Sequence, residues 1–317
     1  MLVRTPDAFL AAWQRLPEAP WGAPTPRAVM LMAPEGLTTA AATAADNRYM
    51  ATGDQISADL SHRQHRQLAR LLAGQDGPDE PADVPRRSLP VWTFPGDPET
   101  PDATFLNNAF ATVPGRLILG AMRYPQRQRE TARADIRAFF AEVLGYDIVE
   151  LQGDGVIAEL TGSLVIDRRR GVGLCGLGER CNMAGAQAMH EALGLRLTYA
   201  FDLAEGEYHT NVVMSVLAGR TLVLCREGLA DPVAAQALVD AWQGHCVELD
   251  AAEKNAFAGN CIVVRESELL MSQSGVDSLR PATRQALAAQ GWQLRPVPLS
   301  QIELAGGSLR CCVGEVF

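Results

Sequence analysis

Three residues far apart in the sequence are of the types that nucleophilic chemistry needs. Cys311 follows a glycine pair in Gly306-Gly307-Ser308-Leu309-Arg310-Cys311-Cys312. Glycines let a backbone turn, or approach a ligand, where other residues cannot. A cysteine becomes a nucleophile when nearby positive charge or N–H dipoles stabilise its thiolate, and Arg310 beside it is a source of such charge. Glu159 interrupts the apolar Val156-Ile157-Ala158-Glu159-Leu160, and His209 stands between Tyr208 and Thr210-Asn211-Val212-Val213-Met214. Asp102, Asn107 and Asn108 flank Phe105-Leu106. A carboxylate, an imidazole and a thiol together can attack a carbon and move protons. Cys311 forms the covalent bond, and His209 protonates the leaving nitrogen and then deprotonates water. Glu159 either holds a cationic carbon centre or accepts its proton. Taken singly, each has a blander reading: a buried packing thiol, a structural histidine, an edge glutamate.

The elements that must bring these residues together repeat. A Gly-led apolar strand, a helix and a second strand recur from Gly115, Gly171 and Gly219, and again from Glu268 without the glycine. The helices are expected at 126–144, 182–193, 231–243 and 281–290. Residues 27–94 read as a looser fifth copy, with a strand over Arg27–Met32 and a helix at 57–73. Extra strands lie between the units in IAELTGSLVIDR, HTNVVMSVL and NCIVV. A fixed period and a fixed order argue for a repeated unit of more than two strands with a helix outside. Radial repetition then brings strand starts from distant parts of the chain to one axis. A doubly wound sheet is the competing architecture. Its phosphate fingerprint is missing, since Gly171-Val172-Gly173 lacks the third glycine. The expectation is one α/β domain over 1–317, with an N-terminal helical extension at 1–26 and a surface loop region at 74–101 that is interrupted by a strand at Leu89–Phe94.

Composition narrows the function. A net charge of −9 argues against nucleic acid and anionic membranes as partners. No apolar run is long enough to span a bilayer, and no signal-peptide core follows Met1; a cytoplasmic protein is expected. Seven scattered cysteines without a Cys-x-x-Cys pair suit a reducing compartment and show no metal-ligand spacing. No metal or cofactor is called for. The partner is expected to be a small amino-acid substrate, and a homodimer is one assembly open to the chain.

Glu159 in ELTGS, His209 in YHTN and Cys311 in GGSLRC, in that order, resemble the guanidino-group-modifying superfamily of arginine deiminases, dimethylarginine dimethylaminohydrolases and amidinotransferases. The resemblance covers residues from about 27 onward. It implies a five-bladed pseudo-symmetric α/β propeller of ββαβ units, the pentein fold. It also implies roles: Cys311 as nucleophile, His209 as general acid and base, and Glu159 as the glutamate of a Leu-Glu-Gly-Gly-Asp-like motif that orients the N–H groups of the substrate. Arg180 matches an arginine that binds the substrate α-carboxylate, for which a guanidinium is a bidentate partner. Asp102 falls where such enzymes face the amino-acid end of the substrate, and an aspartate there suits an α-ammonium. Cys312 is read as packing. Asn47 is either a loop residue at the site mouth or an ordinary turn asparagine, and Arg123, Arg127 and Arg129 read as a solvated cluster without a role.

Departures from the family pattern bear on the substrate. Two aspartates that usually grip a guanidinium are replaced by Asn108 and Asn211. A buried cation wants anionic partners, whereas an amide offers a donor and an acceptor, which suits a neutral ureido group. The pattern PD-x-x-F-x-N-N with TGSLV-x-DR and YHTNV resembles the citrulline-utilisation hydrolase branch. The expected reaction is therefore citrulline to ornithine, carbon dioxide and ammonia through a covalent Cys311 intermediate. The alternatives are a deiminase acting on arginine or a methylarginine and, from another class, a non-catalytic propeller that binds an amino acid.

Overall fold

The computed structural model describes residues 1–39, 44–51, 55–75 and 88–317. Strand β1 (Leu2–Val3) precedes helix Pro6–Trp13, capped by the Thr5 hydroxyl. Strands β2 (Ala28–Met32) and β3 (Val91–Phe94) run parallel, with helix Ala58–Leu72 between them in sequence. The pattern then becomes regular. β4 (Phe110–Val113) pairs antiparallel with β5 (Arg116–Leu119), which pairs parallel with β6 (Asp147–Glu150). β7 (Leu164–Asp167), β8 (Val172–Leu177) and β9 (Leu197–Asp202) repeat this order, and β1 adds to the outer edge of β9. β10 (Met214–Leu217), β11 (Thr221–Leu224) and β12 (Cys246–Glu248) form the next sheet. β13 (Ile262–Arg265), β14 (Glu268–Ser272) and β15 (Gln293–Val297) form another. Finally β16 (Gly314–Val316) pairs antiparallel with β2. The fold is mixed α/β, with a parallel pair in every sheet separated by a helix-bearing crossover.

Side-chain alternation along the strands distributes the core. Ala28, Met30 and Met32 of β2 pack with Phe110, Leu117 and Leu119 of the second sheet, while Val29 and Leu31 pack with Ile262, Val264 and Leu270 of the last. Period-2 alternation with both faces apolar is what a strand between two neighbours requires. The same sharing joins Ala111, Val113 and Ile118 to Leu164 and Cys175, and Leu217 and Val223 to Val263 and Leu269. The N-terminal helix is tied on by Phe9, whose ring stacks on Tyr199 at 4.5 Å. No helix among the described residues is long and apolar enough to cross a membrane.

Several sequence expectations are corrected here. The strands expected in IAELTGSLVIDR and HTNVVMSVL each split. Leu160–Ser163 and Thr210–Val213 are single helical turns, and only the following four residues are strand. Hydroxyls of these turns donate to backbone carbonyls of other segments: Thr161 to Asn107, Ser163 to Arg180 and Thr210 to Ser163. The single helix expected at 126–144 is Pro125–Thr131, Ala134–Ala138 and a π turn over Phe139–Val143. Among the described residues of 27–94 none forms an antiparallel partner for β2, and β16 takes that place. Of the loop region expected at 74–101, residues 76–87 lie outside the described residues, and the strand expected within it at Leu89–Phe94 is Val91–Phe94.

Val316 is fully buried opposite Ala28. Val316→Ala is expected to lower the urea midpoint by an amount equivalent to about 2 kcal/mol, with the m-value unchanged. An unchanged midpoint in equilibrium unfolding would show that β16 adds nothing to the first sheet.

Candidate active site

One structural device positions most of the candidate residues; Arg180, after β8, and Asp102, in the turn Pro101–Thr104, lie outside it. The chain makes a short turn just before the antiparallel leading strand of each sheet, and the other candidate side chains sit on these turns. Glu159 and His209 each stand five positions before their strands, which begin at Leu164 and Met214. Asn211 and Cys311 stand three before Met214 and Gly314, and Asn108 and Asn260 two before Phe110 and Ile262. Equivalent positions in different repeats thus carry different chemistry.

Glu159 is the buried hub. Its Oε2 lies 2.9 Å from His209 Nε2 and accepts from Arg127 Nη1 at 3.2 Å and Arg180 Nη1 at 3.2 Å. Burial alone would raise the pKa of this carboxyl, but Arg180 and Arg127 outweigh that, and His209 adds to them, holding it well below the usual carboxylate range. The carboxylate requires a donor at His209 Nε2. The neutral ring then carries its proton there and leaves Nδ1, which has no hydrogen-bond partner, as the basic lone pair. Burial lowers the His209 pKa despite Glu159, so the ring is neutral near pH 7. Glycine at position 162 is required: a Cβ there would come 2.4 Å from Asn108 Oδ1 and 2.9 Å from His209 Nε2.

Cys311 lies in the 3₁₀ turn Leu309–Cys312, buried to 1% exposure. Its polar neighbours are amides: Asn211 offers Nδ2 at 3.6 Å and Oδ1 at 3.7 Å, and Asn260 Nδ2 donates at 3.3 Å. Burial pushes the thiol pKa up, partly offset by the Ser308 backbone and by Asn260. Arg310 does not aim its charge at the sulfur. Its guanidinium donates to the Val313 carbonyl at 3.0 Å and pairs with Glu315 at 2.8 Å. The glycine pair is needed for close approach, as the sequence suggested. Gly306 has φ of +82°, and a Cβ on Gly307 would come 2.6 Å from the Phe105 ring. Asn47 and the Tyr208 hydroxyl both donate to the Gly306 carbonyl. Cys312 packs in the apolar cluster behind the turn.

Cys311, Asn108, Asp102, Arg180, Arg127, Asn47, Tyr208 and Phe105 line one cavity of about 20 Å³. A space of that size takes a water molecule, not an amino acid, so side chains closing it must move when substrate enters. Arg180 is already engaged. Its Nε and Nη2 form a fork on the Asp46 carboxylate at 2.8 and 2.6 Å, the geometry in which it was expected to hold a substrate carboxylate.

Two assignments change. Glu159 was expected to meet the substrate; its carboxylate is instead taken by His209, Arg127 and Arg180. Arg127 was read as solvated; it is buried between Glu130 and Glu159 and lines the cavity. The signal for it was its spacing three residues ahead of Glu130 just inside a Pro-led helix. Asn260 was missed altogether; it heads an apolar strand exactly as unusually as Glu159 interrupts one. Among the described residues no group of three or more His, Cys, Asp or Glu is placed to hold a metal.

The family model described as N,N dimethylarginine dimethylhydrolase, eukaryotic, matches residues 33–317. No curated protein matches the chain. Among solved structures, the substrate-bound N-terminal domain of ArgZ, an arginine dihydrolase from the ornithine–ammonia cycle in cyanobacteria, has a TM-score of 0.76 at 19% identity, over 91% of this chain and 97% of that one. AgrE in complex with ornithine and NAD⁺ has 0.75 at 21%, over 91% and 39%. A dimethylarginine dimethylaminohydrolase adduct with S-methyl-L-thiocitrulline has 0.66 at 17%, over 92% and 99%. At these identities the likeness to solved structures is one of fold.

Glu159→Gln leaves two buried guanidinium groups facing a neutral amide and is expected to cost about 3 kcal/mol or more. The sign with pH follows from the depressed carboxyl. The unfolded chain takes up a proton in acid that folded Glu159 refuses, so stability is full above the ordinary carboxylate range and falls below it. Unfolding midpoints at a series of acidic pH values are expected to show a shallower loss in the variant; parallel curves would remove Glu159 as the hub.

Proposed function

The chain belongs to the N,N-dimethylarginine dimethylhydrolase family, within the guanidino-group-modifying superfamily, and on that premise we propose that its substrate carries a neutral ureido group, with L-citrulline the best representative. Membership makes the protein a hydrolase of C–N bonds other than peptide bonds, with a cysteine nucleophile. The observation that carries the choice of substrate is the set of groups around Cys311 Sγ: the amides of Asn211 and Asn260, with no carboxylate in contact. Glu159 is saturated by Arg127, Arg180 and His209, so among the described residues Asp102 is the one carboxylate lining the cavity, and it is assigned to the substrate α-ammonium and not to the reacting group. A ureido group asks only for donors to its oxygen and acceptors for its N–H groups, which Asn108 and Asn211 supply.

The residues then divide the work. The Cys311 thiol passes its proton to His209 Nδ1 as the sulfur adds to the ureido carbon, and the oxygen takes up negative charge that amide N–H groups stabilise. His209 gives a proton to the departing nitrogen, leaving a thiocarbamate ester on the sulfur. Water, deprotonated by His209, attacks that carbon and frees the thiolate. One water is consumed for each ureido group, and ornithine, carbon dioxide and ammonia are released. Glu159 acts through His209 by fixing its tautomer. Asp102 faces the α-ammonium, and Arg180 takes the α-carboxylate once Asp46 yields its place. The five sheets, with a shared apolar layer between neighbours and β16 completing the first, are read here as the blades of a single-domain propeller whose leading strands face the axis.

A second reading has its own support. The fold is shared with an enzyme named as an arginine dihydrolase, and hydrolysis of arginine's guanidinium would pass through the same ureido stage. The test is ammonia and ornithine release by purified protein offered L-citrulline, L-arginine and N,N-dimethyl-L-arginine separately. Ornithine from citrulline, with no turnover of the other two and loss in Cys311→Ala, is expected. Turnover of either guanidino compound would overturn the reading of the amides. Asp46→Asn is expected to lower KM for citrulline with kcat little changed; a higher KM would instead make Asp46 a ligand of the substrate.

A further inference from the structure

We infer that Asn260 is the positioning residue of the nucleophile, aiming one amide N–H at the Cys311 sulfur and so selecting the charged form of that thiol for reaction. This deepens the reading of Cys311 as nucleophile and rests on it.

The argument is one of amide orientation. Asn260 is fully buried at the head of β13. Its Oδ1 receives the backbone N–H of Arg310 at 2.9 Å and that of Cys311 at 3.4 Å. Two backbone donors cannot face an NH₂ group, so the amide has one permitted orientation, and Nδ2 must lie on the other side. There it finds two acceptors for its two hydrogens: the Asn211 carbonyl at 2.8 Å and Cys311 Sγ at 3.3 Å. All of its polar capacity is thereby used. The Asn260 carbonyl also accepts from Arg310 N at 3.3 Å, so the segment is held to the nucleophile's turn at both backbone and side chain.

Its neighbour behaves differently. Asn211 donates Nδ2 to the Thr161 carbonyl at 3.1 Å and presents both Nδ2 and Oδ1 to the sulfur at nearly equal distances. Asn211 can therefore accept the thiol's proton or donate to a thiolate. Asn260 can only donate. With Arg310 turned to Glu315, Asn260 is the shortest side-chain donor to the sulfur among the described residues. A hydrogen bond to the charged form favours that form, and Asn260 acts in that direction on the buried thiol together with the Ser308 backbone and the more distant charge of Arg310. The residue also joins three repeats at one point, since Asn211, Asn260 and Cys311 head different sheets.

The test is the pH dependence of Cys311 alkylation by iodoacetamide in the intact protein, with fragment-ion mass spectrometry separating Cys311 from Cys312. Asn260→Asp keeps the shape and the acceptor but exchanges the donor for a carboxylate. The alkylation midpoint is expected to move up by about one pH unit or more, and kcat/KM at pH 7 to fall roughly tenfold for each unit. Asn260→Ala, which removes the donor without adding a charge, is expected to move the midpoint up, though less than Asn260→Asp, and it serves if the aspartate variant does not fold. Lower thermal stability with an unmoved midpoint in whichever variant folds would make Asn260 purely structural and overturn the inference. A wild-type Cys311 that resists alkylation at every pH would overturn the nucleophile reading as well; normal wild-type alkylation confines any failure to Asn260.

Discussion

A single carboxylate with no access to water organises this protein. Glu159 is charged, fully buried and held by two guanidinium groups and an imidazole. Burying a charge is costly unless it is paired and hydrogen-bonded, so Glu159, Arg127 and Arg180 stand or fall together. Their partners extend the network outward: Glu130 behind Arg127, and Asp46 in front of Arg180. Because these side chains come from distant stretches of sequence, satisfying the charges fixes how the segments meet. The acid–base residue inherits its tautomer from the same arrangement, so stability and proton transfer draw on one set of contacts.

Much of this was legible in the sequence, for identifiable reasons. The repeat showed because each parallel pair of strands needs a helix-bearing crossover, and that imposes a period on apolar runs. Glu159, His209 and Cys311 showed because each is polar or reactive within an apolar stretch. The helical turns at Leu160–Ser163 and Thr210–Val213 did not show, since four residues are too few for a 3.6-residue period to separate from strand alternation. Arg127 was hidden among other arginines on a helix, where charge composition says nothing about which one points inward. Arg310 was legible as a source of charge, and its guanidinium does lower the Cys311 pKa, but from a position turned to Glu315, because neighbouring side chains leave the backbone in different directions. The partner of β2 was hidden as well, since pairing between residues almost 290 positions apart leaves no local trace.

Replacing carboxylates with amides around the sulfur changes more than substrate charge. A carboxylate beside a thiol opposes thiolate formation, whereas an amide can be oriented to favour it. Amides are also insensitive to pH, so the immediate surroundings of Cys311 do not titrate, and any pH response passes through the sulfur itself, His209 or the substrate. Burial lowers the pKa of His209 and raises that of Cys311, so burial favours the uncharged form of each.

The dependence of the first sheet on β16 has a consequence for assembly. The strand that β2 requires is made after everything else described above, and the nucleophile lies three positions ahead of it. A chain emerging from the ribosome can pair the second, third and fourth sheets from neighbouring segments, but β2 and β3 must wait with an apolar edge uncovered. Closing so long a loop is slow, and exposed strand edges invite association with other chains. The reactive sulfur is thus installed by the same late event that hides that edge, so a partly made or partly folded molecule carries the thiol but not the site.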